Sequence, residues 1–142
     1  MPPPRFVVRT VMASHEFWYR VSGGALGGKI GGVPCLLLTT TGRKSGRKRT
    51  TPLLYLRDGQ DVVIVASYGG SPKHPTWYGN LVANPEAEVL IGREQKRVVA
   101  RTANDDERAR LWPRLVEMYK SYAEYQTKTE RTIPVVILAP KQ

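Results

Sequence analysis

The sequence predicts an α+β fold in which an antiparallel β-barrel or sandwich carries flanking helices. Three observations predict it. Short runs rich in Val, Ile, Leu and Thr recur along the chain, separated by Gly, Pro and Asp turn residues. The strands lie close together in sequence, as hairpins do. Helical patterns interrupt the strands in two places only, so the chain does not alternate strand and helix as a parallel sheet requires.

In order, Phe6–Ser22 reads as a helix, with Val7, Val11 and Trp18 on one face and Arg5, Arg9 and Arg20 elsewhere. Its Phe17, Trp18 and Tyr19 suit either packing on the barrel or contact with an anionic membrane. Gly23-Gly24, Gly27-Gly28 and Gly31-Gly32 follow and disfavour a helix. Residues 1–32 are thus an N-terminal helix and Gly-rich connector, and 33–142 the main domain.

About six strands follow: Pro34–Thr41, Thr51–Arg57, Asp61–Ser67, Glu88–Ile91, Lys96–Thr102 and Ile133–Ala139. Asp58-Gly59 marks one hairpin turn and Gly92 another. Pro75 opens a helix carrying Trp77 and Leu81 that stops before Pro85. Asn104 and Glu107 have the spacing of a capping box. Pro113 suits a new helix start better than a helix interior. Tyr119, Tyr122 and Tyr125, at i, i+3 and i+6, share one side of a helix, as a packed stripe or a pocket wall.

The segment Arg43–Arg49 holds five cations and no anion, and the chain as a whole carries +10. Such a surplus favours an acidic partner. The hydroxyls of Thr41, Ser45 and Thr50 add donors among the charges, so the turn reads as a poly-anion cradle. Nucleic-acid phosphates or one phosphorylated, carboxylate-bearing cofactor both fit, and a solvated basic turn is the plain alternative. The spacing Gly42-x-x-x-Gly46-Arg47-Lys48 is not that of a phosphate-binding Walker loop. No helix-turn-helix, zinc-finger or RRM signature is present, so no nucleic acid is expected.

His15 and His74 lack neighbours at metal-ligand spacing, and no metal is expected. No Gly-x-Ser-x-Gly nucleophile motif occurs. The lone Cys35, in an apolar run, reads as a buried hydrophobe and fits a reducing, cytoplasmic compartment. No run is long enough to cross a bilayer, and no signal peptide is recognisable. An anion cradle and many aromatics without a nucleophile, metal or base fit an enzyme whose chemistry an organic cofactor carries.

Several ordered motifs resemble one family. They are Leu-Leu-Leu-Thr-Thr-Thr-Gly-Arg-Lys-Ser-Gly at 36–46, Arg49-x-x-Pro52-Leu53, and Pro75-x-Trp77-Tyr78-x-Asn80-Leu81-x-Ala83-Asn84-Pro85. Tyr119-x-x-Tyr122-x-x-Tyr125-Gln126 and Arg131-Thr132-Ile133-Pro134 complete the set. With these, the chain from Gly31 to Pro140 resembles the deazaflavin-dependent nitroreductases of actinobacteria, whose cofactor is coenzyme F420.

The resemblance implies a split β-barrel, similar to FMN-binding split barrels. It implies that Arg43, Lys44, Ser45 and Arg49 hold the cofactor's phosphate and oligoglutamate tail. It implies that Thr50, Thr51, Pro52, Leu53 and Leu54, then Val65, Ala66, Ser67 and Tyr68, then Thr76, Trp77, Tyr78, Gly79 and Asn80, line the deazaflavin ring and its side chain, together with Tyr122. Leu54, Tyr119, Tyr122 and Tyr125 border a substrate pocket.

The implied reaction moves a hydride from C5 of the reduced deazaflavin to a small organic acceptor: a quinone, a nitroaromatic or another activated double bond. Tyr122, Ser67 or water supplies the proton. A separate enzyme re-reduces the deazaflavin. Some nitroimidazole-activating members carry tyrosine where this chain has Leu54, which argues against nitroreduction. The alternatives are a non-enzymatic anion-binding module, as a deazaflavin carrier or nucleic-acid binder, and an FMN-dependent split-barrel oxidoreductase. The expected location is the cytoplasm, with peripheral contact at the inner membrane face through the N-terminal helix.

Overall fold

The computed structural model describes residues 29–30 and 33–141. The helix expected at Phe6–Ser22 and most of the Gly-rich connector lie outside the described residues. Eight strands are described, two more than the sequence pattern shows: β1 (Lys29–Ile30), β2 (Val33–Thr41), β3 (Lys48–Leu54), β4 (Leu56–Asp58), β5 (Asp61–Val65), β6 (Glu86–Ile91), β7 (Glu94–Thr102) and β8 (Val135–Pro140). Three α-helices accompany them: α1 (Thr76–Ala83), α2 (Asp105–Met118) and α3 (Ser121–Thr127).

Every strand pairing is antiparallel, in the order β1-β2-β6-β7-β8-β5-β4, with β3 on β2. The run expected as one strand at Thr51–Arg57 divides at Tyr55. Residues before it pair with β2, and residues after it pair with β5. One bent segment thus pairs with β2 near one end of the strand order and forms the other end as β4, which pulls the sheet round on itself. Among the described residues no ladder joins β3 to β5, so the barrel is curled rather than closed by hydrogen bonds. This is the antiparallel split barrel with flanking helices.

The turns follow the backbone preferences of glycine. Asp58 pairs with Asp61 and Ile91 with Glu94, leaving two-residue turns. Gly59 and Gly92, the first residue of each turn, take φ +62° and +63°.

The alternation of β5 decides where the core sits. Val62 and Ile64 point into the curl, where they join Leu36, Leu38, Trp77, Leu81, Val89, Val98, Val136 and Leu138. Val63 and Val65 point to the outer face and pack with Leu111, Leu115, Tyr122, Ile133, Val135 and Ile137. A strand apolar on both faces is therefore covered twice. Helix α1 supplies Trp77 and Leu81 to the interior, and α2 and α3 cover the outside.

Asn104 caps α2 as expected: its Oδ1 accepts from the Glu107 N–H at 2.8 Å, and Glu107 Oε1 accepts from the Asn104 N–H at 3.2 Å. The helix does not restart at Pro113, which lies inside Asp105–Met118. Leu111 and Leu115, on either side, are fully buried and hold both halves to the core. Pro113 and Ala109 face solvent, so the carbonyl that the proline leaves without its helical donor stays open to water.

The three tyrosines do not share one helix either. Helix α2 ends at Met118, and Tyr119 is extended (φ −145°, ψ 97°) before α3 begins. Six residues of unbroken helix would separate Tyr119 and Tyr125 by about 9 Å along the axis. The break lets their hydroxyls meet at 3.3 Å.

Candidate functional site

The cationic segment forms the β2–β3 hairpin loop. Thr41 and Lys48 are its last pair. The Gly42 N–H donates to the Arg47 carbonyl and the Gly46 N–H to the Gly42 carbonyl, both at 2.8 Å. The Arg47 N–H donates to Ser45 Oγ at 3.1 Å, leaving the Ser45 hydroxyl proton free to be donated elsewhere. Gly46 takes φ +71°. The side chains of Arg43, Lys44, Ser45, Arg47, Lys48 and Arg49 are all exposed. Among the described residues none of these five cations forms an ion pair. Some charges elsewhere are paired, as at Asp58 with Arg110 and Arg114.

This loop is docked rather than free-standing. Asn80 of α1, 2% exposed, accepts from the Arg43 N–H at 3.1 Å and donates to Thr40 Oγ1 at 3.2 Å. The Arg43 guanidinium lies directly over Gly79, where any side-chain carbon would collide with it. Arg43, Gly79 and Asn80 are therefore brought together. Thr76 stays exposed at the start of the same helix, while Tyr78 half-buries and shares a 2.8 Å hydrogen bond with Thr102.

The segment Thr50–Leu54 does not form one wall. Thr51 and Leu53 pair with Leu38 and Leu36, which face the interior with Trp77 and Ala66. Thr50, Pro52 and Leu54 pair with Thr39, Leu37 and Cys35 on the outer face. There Thr50 and Thr39 share a hydrogen bond at 2.9 Å, and Leu54 packs with the cluster containing Val65 and Tyr122. Strand alternation thus divides the candidate residues between the two faces.

The tyrosine face is well formed. The rings of Tyr119 and Tyr122 lie 5.0 Å apart edge to face, and Tyr125 lies 6.3 and 6.4 Å from them. Leu54, Tyr119, Tyr122 and Tyr125, the expected substrate wall, are gathered in one cluster. Burial pushes the Tyr122 phenol well up from its ordinary value, and Tyr119 and Tyr125 beside it push the same way. Tyr125 is raised by its hydrogen bond to Tyr119 and then by burial. Among the described residues the Tyr122 hydroxyl has no hydrogen-bond partner, and neither does the Ser67 hydroxyl. Both candidate proton donors are therefore neutral and uncommitted. Burial raises the Cys35 thiol to about 11, which makes it inert as a nucleophile at neutral pH.

Ser67 and Tyr68 begin a tight turn after β5. Tyr68 is half exposed and has φ +45°, the one positive φ outside glycine among the described residues. Arg131 holds the turn, and its role was not legible in the sequence. Its Nε donates to the Ser71 carbonyl (2.9 Å), Nη1 to the Ala66 carbonyl (3.2 Å) and Nη2 to the Ser67 carbonyl (2.8 Å). His74 Nδ1 lies 3.1 Å from Nη1. Burial and then the Arg131 charge lower the His74 pKa, which keeps Nδ1 able to accept. The sequence marked Arg131 only as part of the Arg131-Thr132-Ile133-Pro134 motif ahead of an apolar strand, with no role attached.

The donor set fits coenzyme F420. An exposed hairpin of unpaired cations, held against a helix by a buried amide, suits a ligand that carries several negative charges. Apolar side chains of the adjoining strands, with the phenols of Tyr119, Tyr122 and Tyr125 beside them, suit a flat ring.

Comparison with known proteins agrees. The family model for the F420H(2)-dependent quinone reductases matches residues 11–140. An F420H(2)-dependent quinone reductase of Mycobacterium tuberculosis (strain ATCC 25618 / H37Rv) is 44% identical over 138 residues, covering 94% of this chain and 93% of the relative. A solved F420-H2 dependent reductase, FDR-A, is 48% identical with a TM-score of 0.69, covering 74% of this chain and 93% of its own. A solved chain described as a domain-swapped dimer is 40% identical with a TM-score of 0.71, covering 96% and 99%.

The fold and these relatives define a split-barrel oxidoreductase that uses the deazaflavin coenzyme F420. The chain belongs to the F420H(2)-dependent quinone reductase family.

Proposed function

We propose that this protein reduces a quinone, at the expense of reduced F420, on the face between the cationic hairpin and the tyrosine cluster. The observation that carries the reading is the unpaired five-cation hairpin locked to α1 through Asn80. Arg43, Lys44, Ser45 and Arg49 bind the phosphate and the glutamate tail. Strand β3, the end of β5 and α1 contribute the walls for the ring, through those residues of Thr50–Leu54, Val65–Tyr68 and Thr76–Asn80 that share its face. Leu54, Tyr119, Tyr122 and Tyr125 hold the acceptor and exclude water from it.

When bound, the reduced deazaflavin supplies a hydride from C5. The remaining task of the chain is to hold the acceptor in line and move one proton, so that quinone plus hydride plus proton gives hydroquinone. Tyr122 or water is the favoured donor to the acceptor oxygen, since the Tyr122 hydroxyl makes no hydrogen bond to another described residue. Ser67 is the other route. A leucine at position 54 in the acceptor wall favours quinones over nitroimidazoles.

The oxidised cofactor is re-reduced by a separate enzyme. We place the protein in the cytoplasm. Among the described residues no helix is long and apolar enough to cross a membrane. Contact with the inner membrane face through Phe17, Trp18 and Tyr19 is part of this proposal, and vesicle sedimentation with anionic lipid tests it.

The central test is a titration of oxidised F420 with the full chain, followed by turnover of reduced F420 with menadione. Quenching of cofactor fluorescence at micromolar protein that weakens with salt, and turnover well above the rate without protein, are the expected results. An unresponsive cofactor would sink the reading.

A further inference from the structure

One residue outside the expected site touches both of its hydroxyl-bearing walls. The Arg131 guanidinium binds the carbonyls of Ala66, Ser67 and Ser71, on either side of the strained Tyr68. The Arg131 main-chain carbonyl accepts from Gln126 Nε2 at 2.8 Å, one helical turn beyond Tyr122 on α3. Gln126 Oε1 in turn accepts from the Ile133 N–H at 2.9 Å and from Arg108 at 3.1 Å. The turn and helix also meet directly. Gly70 is buried with φ +80°, and a Cβ there would stand 2.9 Å from the Tyr125 carbonyl. The turn is therefore clamped between Arg131 and α3.

A non-glycine residue at positive φ persists only where its surroundings over-determine it. Three charge-assisted bonds to flanking carbonyls provide that constraint here. We propose that Arg131 is a positioning residue for the reaction: it fixes the Ser67–Ser71 turn, and hence Ser67 and Tyr68, relative to Tyr122. This rests on the reading that the site lies on that face. His74 assists by accepting from the same guanidinium while its ring packs on Tyr78 at 4.9 Å.

The test uses the full chain with Arg131→Lys and Arg131→Ala. A lysine keeps the charge, yet one ammonium cannot span three carbonyls in fixed directions. Without cofactor, hydrogen exchange of the amides from Ser67 to Lys73 should speed up in both variants, while β6 and β7 keep wild-type protection. With F420 and menadione, kcat should fall by about 10- to 100-fold, the loss that a shift of about 1 Å produces, while F420 affinity, carried mainly by the hairpin cations, should fall by much less. Millimolar guanidinium should restore part of the Arg131→Ala rate, and equal sodium chloride should not. If Arg131→Ala does not fold, Arg131→Lys carries the test alone.

Wild-type kcat and KM in Arg131→Lys, or unchanged exchange in the turn, would overturn the proposal. Loss of F420 affinity equal to the loss of rate would also overturn it, since that indicates general damage. If the wild-type protein neither binds F420 nor reduces menadione, it is the functional reading that fails. The exchange experiment still judges the clamp in that case.

Discussion

The main-chain N–H of Arg43 donates to the side chain of Asn80, 37 residues further along the chain, at 3.1 Å. The same amide donates to the buried hydroxyl of Thr40. A loop that sequence shows only as a charge cluster is thus held at a set distance from the helix that carries Trp77. The hairpin is tied to α1 by side-chain hydrogen bonds at both Thr40 and Arg43.

Asn80→Ala tests that coupling. It leaves the Thr40 hydroxyl and the Arg43 N–H without partners, at a cost of about 1–3 kcal/mol for each group that stays dry. Denaturant unfolding should report the lost stability, and F420 affinity should fall although no cation has been removed. Unchanged affinity would show that the hairpin holds its shape alone.

Arg43→Ala and Lys44→Ala should each weaken F420 binding by roughly 1.5–3 kcal/mol, the range for a hydrogen bond to a charged group. Both side chains are exposed and form no ion pair, so Tm should hardly move. The slope of log affinity against log salt should become shallower in each variant. Fluorescence titration at several salt concentrations reads all of this.

Tyr122→Phe keeps the ring in the outer core and deletes a hydroxyl that bonds to nothing among the described residues. Stability should stay within about 0.5 kcal/mol of wild type. If Tyr122 gives the proton, kcat for menadione should drop by a factor towards the low end of about 10²–10⁴. Retention of the wild-type kcat would transfer the role to Ser67 or water, and Ser67→Ala would then be the deficient variant.

Asp58 predicts an acid limb in the stability profile. Arg110 binds it through two bonds of 3.0 and 2.8 Å and Arg114 adds a third at 3.0 Å, fastening α2 to the β4–β5 turn. Hydrogen bonding to Arg110 first, and then to Arg114, holds the carboxyl down to about 2. A carboxyl held below its unfolded value of about 3.9 stabilises the fold fully above that pH, and the contribution disappears as pH falls towards the folded value. Asp58→Asn should cost about 1 kcal/mol at neutral pH, given the exposed guanidinium partners. The gap between the two proteins should close between pH 4 and 2. A gap that persists at pH 2 would assign the effect to packing.

Much of the fold was legible because it is written in local chemistry. Asp58-Gly59, Gly92, Pro75 and the Asn104–Glu107 pair act over two to four residues, and each marks the element it predicts. The cationic turn was legible for the same reason, since five like charges in seven positions need no tertiary contact to be recognised. Pro113 and the tyrosine trio were misread because each depends on its surroundings. An exposed proline is tolerated where Leu111 and Leu115 anchor both halves of its helix, and the tyrosines meet through a break that periodicity cannot reveal.

The sequence alone determined where the cationic turn and the hairpin turns fall, because charge and turn propensity are properties of neighbouring residues. Only the tertiary structure decided which side chains share a face. Strand pairing sends Leu53 to Trp77 and Leu54 to Tyr122, although the two leucines are adjacent. It also assigned work to Asn80 and Arg131, whose partners lie up to 40 and up to 65 residues away. Such hydrogen bonds come from how the chain closes on itself, and no local pattern encodes them.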